Sequence, residues 1–183
     1  MNTHGTLQPQ SRAPRDSVMG SKYSLLAQQF SSGRVSKSKY TDVRPVGFEF
    51  SSLNTDGADT IYADNITFRG WTVDNGDDSI SMKANSTNIL IEDCDFHTGL
   101  GVAIGSIGQY ENKYEIIENI TARNIRSHNM RYGVYMKTWT GISTGYPPNG
   151  GGAGLGYASN MTFSNFTLYN NTGIFAITQC TPT

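Results

Sequence analysis

Cysteine is nearly absent from this 183-residue chain, which has only Cys94 and Cys180. Their separation fits no metal-binding spacing, and His4, His97 and His128 are scattered without a ligand motif. Neither a metal nor any other cofactor is expected. Charge is scarce as well. Acidic and basic residues make up 16% of the chain and sum to a formal −1, which excludes a coiled coil and a charge-driven disordered polymer. The same neutrality removes the basic footprint of a nucleic-acid binder. No apolar run approaches the roughly 18–20 residues of a membrane-spanning helix, so no membrane partner is expected. An apolar secretory-signal core is missing too.

What remains is rich in Gly, Asn, Ser and Thr, and it is unevenly distributed. Residues 1–45 carry seven Lys or Arg against Asp16 and Asp42, a local balance of +5, while the rest of the chain stands at −6. Residues 1–50 are Ser- and Gln-rich and lack periodicity, so they read as a basic, poorly ordered leader. Residues 51–183 read as the folded unit.

From about residue 54 the sequence repeats. Four segments start alike, at Asn65, Asn88, Asn119 and Asn160. Offsets +1 and +3 from each Asn are apolar (Ile66/Phe68, Ile89/Ile91, Ile120/Ala122, Met161/Phe163), and offset +5 is a turn former (Gly70, Asp93, Asn124, Asn165). Offsets +6 and +8 return to Trp71/Val73, Cys94/Phe96 and Phe166/Leu168, while Ile125 is followed by the exception Ser127. Alternate residues of a strand face opposite sides, so each segment reads as two short strands meeting at a bend. A third strand opens at Gly76, Gly101, Gly133 or Gly173, with Ile80/Met82, Val102/Ile104, Val134/Met136 and Ile174 with a neighbour turned inward. The repeats start 23, 31 and 41 residues apart, as in a solenoid whose insertions grow on one side. Three parallel strands per coil, without hairpin dipeptides, predict an all-β right-handed parallel β-helix.

Two acidic clusters punctuate the repeat, Asn54-Thr-Asp-Gly57 and Gly76-Asp-Asp78. Asp56 and Asp77 are 21 residues apart, close to one coil, so stacking can set them side by side at about 4.8 Å. Glycoside hydrolysis needs one carboxyl group to protonate the leaving oxygen and one carboxylate to activate water. Crowded like charges raise one pKa and so supply the protonated member. Spacing alone equally allows Asp56 to cap a turn and Asp77/Asp78 to bind calcium or sit in a loop.

These clusters, with Gly101-Val-Ala-Ile-Gly-Ser106 and Gly133-Val-Tyr-Met-Lys-Thr138, resemble the polygalacturonase-type pectin-degrading hydrolases, glycoside hydrolase family 28. The resemblance implies a parallel β-helix of the pectin-lyase kind and inverting hydrolysis of pectic polysaccharide, galacturonan or rhamnogalacturonan, by a monomer. It places Asp77 as general acid, Asp56 and Asp78 on the attacking water, and Lys137, Tyr135 and Asn54 on substrate. The family's Gly-His-Gly is here Gly99-Leu-Gly101, leaving Leu100 in place of its histidine, with His97 nearby as a weak substitute. Tyr135 replaces an arginine that binds galacturonate, which implies a less acidic sugar against which the ring packs. Ser79 replaces a disulfide cysteine. The resemblance is therefore nearest to the exo-acting and α-L-rhamnosidase-like branches. The other class of function is an inactive β-helix that binds glycan or acts as a scaffold; the presence of all three carboxylates favours the enzyme.

Six Asn-X-Ser/Thr sequons, at Asn65, Asn85, Asn119, Asn160, Asn165 and Asn170, fit a glycosylated extracellular parent protein. Family members are considerably longer, so the β-helix is expected to be incomplete. One geometric expectation follows. Strict alternation back from Ile80 would turn Asp78 inward, so the strand should begin only after Asp78, letting Asp56, Asp77 and Asp78 meet at one mouth with Lys137. Acid and base carboxyl groups of an inverting site are expected about 6.5–9.5 Å apart.

Overall fold

The computed structural model describes residues 29–30, 34–36, 54–147 and 150–180. Among them thirteen strands and no helix form: β1 (Gln29–Phe30), β2 (Arg34–Ser36), β3 (Ala58–Thr60), β4 (Asp64–Arg69), β5 (Thr72–Asp74), β6 (Asp78–Met82), β7 (Ser86–Glu92), β8 (Asp95–His97), β9 (Gly101–Ile107), β10 (Tyr114–His128), β11 (Tyr132–Trp139), β12 (Leu155–Tyr169) and β13 (Gly173–Cys180). No helix among the described residues is long and apolar enough to cross a membrane.

All strand pairings are parallel. Sheet A stacks β3, β6, β9, β11 and β13 in chain order. Sheet B runs β1-β4-β7-β10 along one arm and β2-β5-β8-β10 along the other, with β12 beside β10. Its two arms meet at the bend that the sequence repeats at offset +5. Gly70 and Asp93 interrupt the first two coils there, whereas β10 and β12 run through the bend with Asn124 at φ 56° and Asn165 at φ 52°. The chain is thus a parallel β-helix with one coil stacked on the next.

Stacking puts like residues in columns. Ile66, Ile89, Ile120 and Met161 pair in register, as do Phe68, Ile91, Ala122 and Phe163. In sheet A the inward columns are Ala58, Ile80, Val102 and Val134, and Thr60, Met82, Ile104 and Met136. The core they make is sealed: Phe68, Phe96, Ile80, Met82 and Ile120 are all under 2% exposed. The last coil corrects one expected assignment. Gly173 does open β13, but pairing aligns Phe175 and Ile177, not Ile174, with Val134 and Met136.

The corners are held by side-chain amides. Asn119 donates to Asn88 at 3.0 Å, Asn124 to Asp93 at 2.9 Å, Asn165 to Asn124 at 2.8 Å and Asn170 to Asn129 at 2.9 Å. All of these residues have φ between 52° and 59°, a region that Asn and Asp enter more readily than other side chains. The connection after sheet A lengthens from 83–85 to 108–113 to 140–154, so the insertions do fall at one corner. Residues 1–50 lie mostly outside the described residues; within them, β1 and β2 pair with β4 and β5.

Candidate active site

The site begins with a hinge between two coils. Asn75 is 3% exposed, and its Nδ2 lies within hydrogen-bonding distance of the carbonyls of Thr55 (2.9 Å), Asp77 (3.0 Å) and Asp78 (2.7 Å). Gly76 N–H donates to Thr55 Oγ1 at 3.1 Å, and Gly57 N–H to Asp78 O at 2.8 Å. Two turns, 54–57 and 75–78, are thereby locked face to face. Gly57 is required there: a Cβ would meet Ser79 O at 2.3 Å.

The locking brings Asp56, Asp77 and Asp78 together, each with a carboxylate oxygen within 4.8 Å of the others. The strand starts at Asp78 rather than after it. Alternation is broken instead by a bulge between Asp78 and Ile80, which turns Asp78 to the outer face while Ile80 stays in the core. Their nearest oxygens are close because two of the acids are chain neighbours and the third sits one coil away, at the strand spacing.

Each acid has a different environment. Asp78 is 1% exposed because two β11 side chains cover it. Lys137 Nζ donates to its Oδ2 at 2.6 Å, and the Tyr135 hydroxyl donates to its Oδ1. They reach it across β9, whose outward positions Gly101, Ala103 and Gly105 are small. Burial, with help from Asp56 and Asp77, pushes the Asp78 carboxyl up to about 7 against the pull of Lys137. Asp77 is half-buried and accepts Asn54 N–H at 2.5 Å, so Asn54 enters the site through its backbone. Asp56 is half-buried and lies 3.3 Å from Lys83 Nζ.

Tyr135, Lys137 and His97 are placed as follows. Tyr135 is 4% exposed with its hydroxyl engaged by Asp78, so its ring is not a face for packing a sugar; the small side chains of β9 let it lie flat over the sheet. Its neighbour Lys137 sits 5.1 Å above that ring and is an aspartate partner in this structure. His97 is not in the site. It projects from the outer face of sheet B, 3.1 Å from Asp95 and stacked on His128 with ring centroids 4.6 Å apart. The histidines His97 and His128 thus come together around Asp95, with Nε2 of His97 3.1 Å and Nε2 of His128 3.0 Å from the same Asp95 Oδ1 and ring planes 6° from parallel. Of the sequons, Asn65, Asn119, Asn160, Asn165 and Asn170 are exposed and Asn85 is half-buried.

Sequence reasoning missed Asn75, Asp59 and Lys83. Asp59 is 1% exposed on β3, with Lys83 Nζ 2.8 Å from its Oδ2. Burial first, then Asp56, raises its carboxyl to about 6. Burial disfavours the charge of Lys83, but Asp59 and Asp56 outweigh it and hold the amine above its ordinary value. The signal was a charged residue in the inward-outward register of a short, otherwise buried strand.

The profile of the glycosyl hydrolases family 28 matches residues 32–179. An alpha-L-rhamnosidase of Aspergillus niger is 56% identical over 132 residues, 72% of this chain and 31% of the relative. An exopolygalacturonase of Cochliobolus carbonum is 40% identical over 128 residues, 69% of this chain and 29% of the relative. The chain therefore spans about a third of the length of these relatives. In structure it is similar to an endo-xylogalacturonan hydrolase from Aspergillus tubingensis, with a TM-score of 0.64 at 24% identity over 80% of this chain and 35% of that one. The stacked coils, the paired acidic turns and the match over residues 32–179 lead to one assignment: the chain belongs to glycosyl hydrolases family 28.

Proposed function

We propose that this chain carries the catalytic coils of an exo-acting hydrolase that removes a terminal sugar, α-L-rhamnose in first place, from pectic polysaccharide by single displacement. The observation behind this reading is the convergence of three carboxylates on two facing turns, one of them 1% exposed beneath Tyr135 and Lys137. Asp77, the acid left half-open, gives its proton to the glycosidic oxygen as the bond to the anomeric carbon breaks. A water between Asp56 and Asp78 forms the new bond to that carbon from the opposite side and loses its proton to a carboxylate. The sugar leaves with inverted configuration.

Two things support rhamnose over galacturonate. The more similar of the two relatives described above is named for rhamnoside cleavage. Lys137 and Lys83, the cations among the described residues at the acidic cluster, are already paired with aspartates and so offer no free partner to a uronate. We place the parent protein outside the cell, glycosylated at the exposed sequons and working as a monomer. The deciding experiment compares sugar release from p-nitrophenyl α-L-rhamnoside, rhamnogalacturonan and polygalacturonate. Rhamnose release that Asp77→Asn abolishes is the expected outcome. Release of galacturonate alone would overturn the choice of sugar, and binding without release would overturn hydrolysis.

A further inference from the structure

From the outer face of sheet B we infer that Asp95, His97 and His128 form a binding site for a divalent transition ion of the zinc and copper class, which ties two successive coils together. The site stands apart from the hydrolytic reading and does not depend on it.

The three residues meet through register alone. β8 supplies Asp95 and His97, and β10 supplies His128, whose partner across the pairing is His97. Alternation turns Asp95 and His97 to the same outer face, with Phe96 in the core between them. In the sequence the histidines are a full coil apart and make no ligand motif; stacking brings them together.

The distances approach those of a metal centre. Nε2 of His97 lies 3.1 Å and Nε2 of His128 3.0 Å from one oxygen, Asp95 Oδ1. Zinc takes imidazole nitrogen at about 2.0–2.1 Å and carboxylate oxygen at about 2.0–2.2 Å, so ligand atoms of a tetrahedral site stand roughly 3.3–3.5 Å apart. Two of the three edges are already near that spacing. The ligand atoms of the three residues all lie within 4.8 Å of one another, and the last edge closes when the rings turn out of their parallel stack about Cβ–Cγ.

The surroundings suit this use. Arg126 takes the other oxygen, Oδ2, with Nε and Nη2 each at 3.2 Å, which orients the carboxylate and leaves Oδ1 to the histidines. Oδ1 is out of solvent yet receives no aligned hydrogen bond, so its acceptor capacity is unspent. The imidazoles are not sealed in: the side chains of His97 and His128 are 37% and 28% exposed, and an ion reaches their nitrogens from solvent. Tyr169 steadies His128 from the far side, with ring centroids 4.6 Å apart, and the exposed Asp74 stands next to His97 in the same column and adds negative charge. Two imidazoles and one carboxylate leave a fourth position for water and match zinc, copper or nickel better than calcium or magnesium, which favour oxygen. The cluster of Asp56, Asp77 and Asp78 offers oxygen only, so nitrogen ligation tells the two places apart.

The test titrates the metal-free full chain with zinc chloride in a calorimeter and with copper(II) chloride under electron paramagnetic resonance. One zinc per chain, a melting temperature that rises with added zinc, and a copper spectrum split by two imidazole nitrogens are expected. His97→Phe keeps a ring in the stack; it should weaken zinc binding by more than about tenfold and remove one nitrogen from the copper spectrum. Metal-free melting controls for folding. If His97→Phe does not fold, Asp95→Asn replaces it and should lose affinity while keeping both nitrogens. Folded wild type that takes up no zinc overturns the inference. So does binding that the folded variant leaves unchanged, since the ion would then sit elsewhere. None of these readouts requires hydrolysis, so an inactive chain that binds zinc in this way would overturn only the hydrolytic reading.

Discussion

Asp78 stores a proton beneath Tyr135 and Lys137, and linkage ties that proton to stability. Its folded pKa of about 7 lies above the ordinary 3.8, so the folded state binds the proton more tightly than the unfolded chain. The contribution is complete below about pH 4 and is lost as pH rises through 7, a change on the order of 4 kcal/mol. Urea midpoints at pH 4 and 7.5 should therefore fall with rising pH in the wild type, and Asp78→Asn should flatten much of that slope. A second expectation concerns Gly57, where a Cβ would strike the Ser79 carbonyl and Val73. Gly57→Ala should destabilise by about 2 kcal/mol or more and also misplace Asp56; thermal melting and the Asp56 NMR titration report the two effects separately. The sequence carried the acids themselves, because Asn54-Thr-Asp-Gly57 and Gly76-Asp-Asp78 stand one coil apart. It hid the direction of Asp78. A bulge is a property of pairing between coils, and strict alternation along one strand cannot reveal it. The reach of Tyr135 across β9 was hidden for the same reason, since Ala103 and Gly105 precede it by about thirty residues.

Among the elements, the corners and the inward columns explain why thirteen short strands hold together. Cys94 sits at offset +6 of its repeat, 0% exposed beside Phe96, and burial pushes its thiol up to about 11. It should therefore resist a thiol reagent at pH 8 until denaturant is added, which timed alkylation with mass spectrometry would measure. Asn124 both accepts from Asn165 and donates to Asp93, so Asn124→Ala breaks two ladder bonds and removes a residue suited to φ 56°. A loss of about 1–2 kcal/mol in urea unfolding is expected, against under 0.5 for the exposed Thr162→Ala in the strand between corners. These elements were readable because their signal is local and repeated: the same apolar offsets and the same turn former recur in four segments. The final coil was less readable. Gly173 marked its start, but the frame of β13 is set by pairing with β11, so Phe175 took the place expected for Ile174.

Over the whole molecule, coils of constant section carry connections of very different length, so the groove can be altered at one corner without disturbing the core. The last coil shows what stacking protects elsewhere: Ile174 is 77% exposed, Ile177 71% and Phe175 49%. This apolar face should bind a hydrophobic dye, and Ile177→Lys should lower dye fluorescence without moving the melting temperature. The corner amides add a directional property. Each side-chain bond runs from the later coil to the earlier one, Asn160 to Asn119 to Asn88 and Asn165 to Asn124 to Asp93, so the amide dipoles add along the solenoid axis. Both columns end on a carboxylate at their positive pole: Asn88 donates to Asp64 at 2.6 Å, and Asn124 donates to Asp93. Asp64 responds as an anion at such a pole should, its carboxyl held below the usual range by Thr87 and then Asn88. A coil grafted before Asp64 must offer a donor, because a carboxylate only accepts, whereas one grafted after Asn160 can extend the column with a further Asn, so the two ends of the amide ladder are not equivalent.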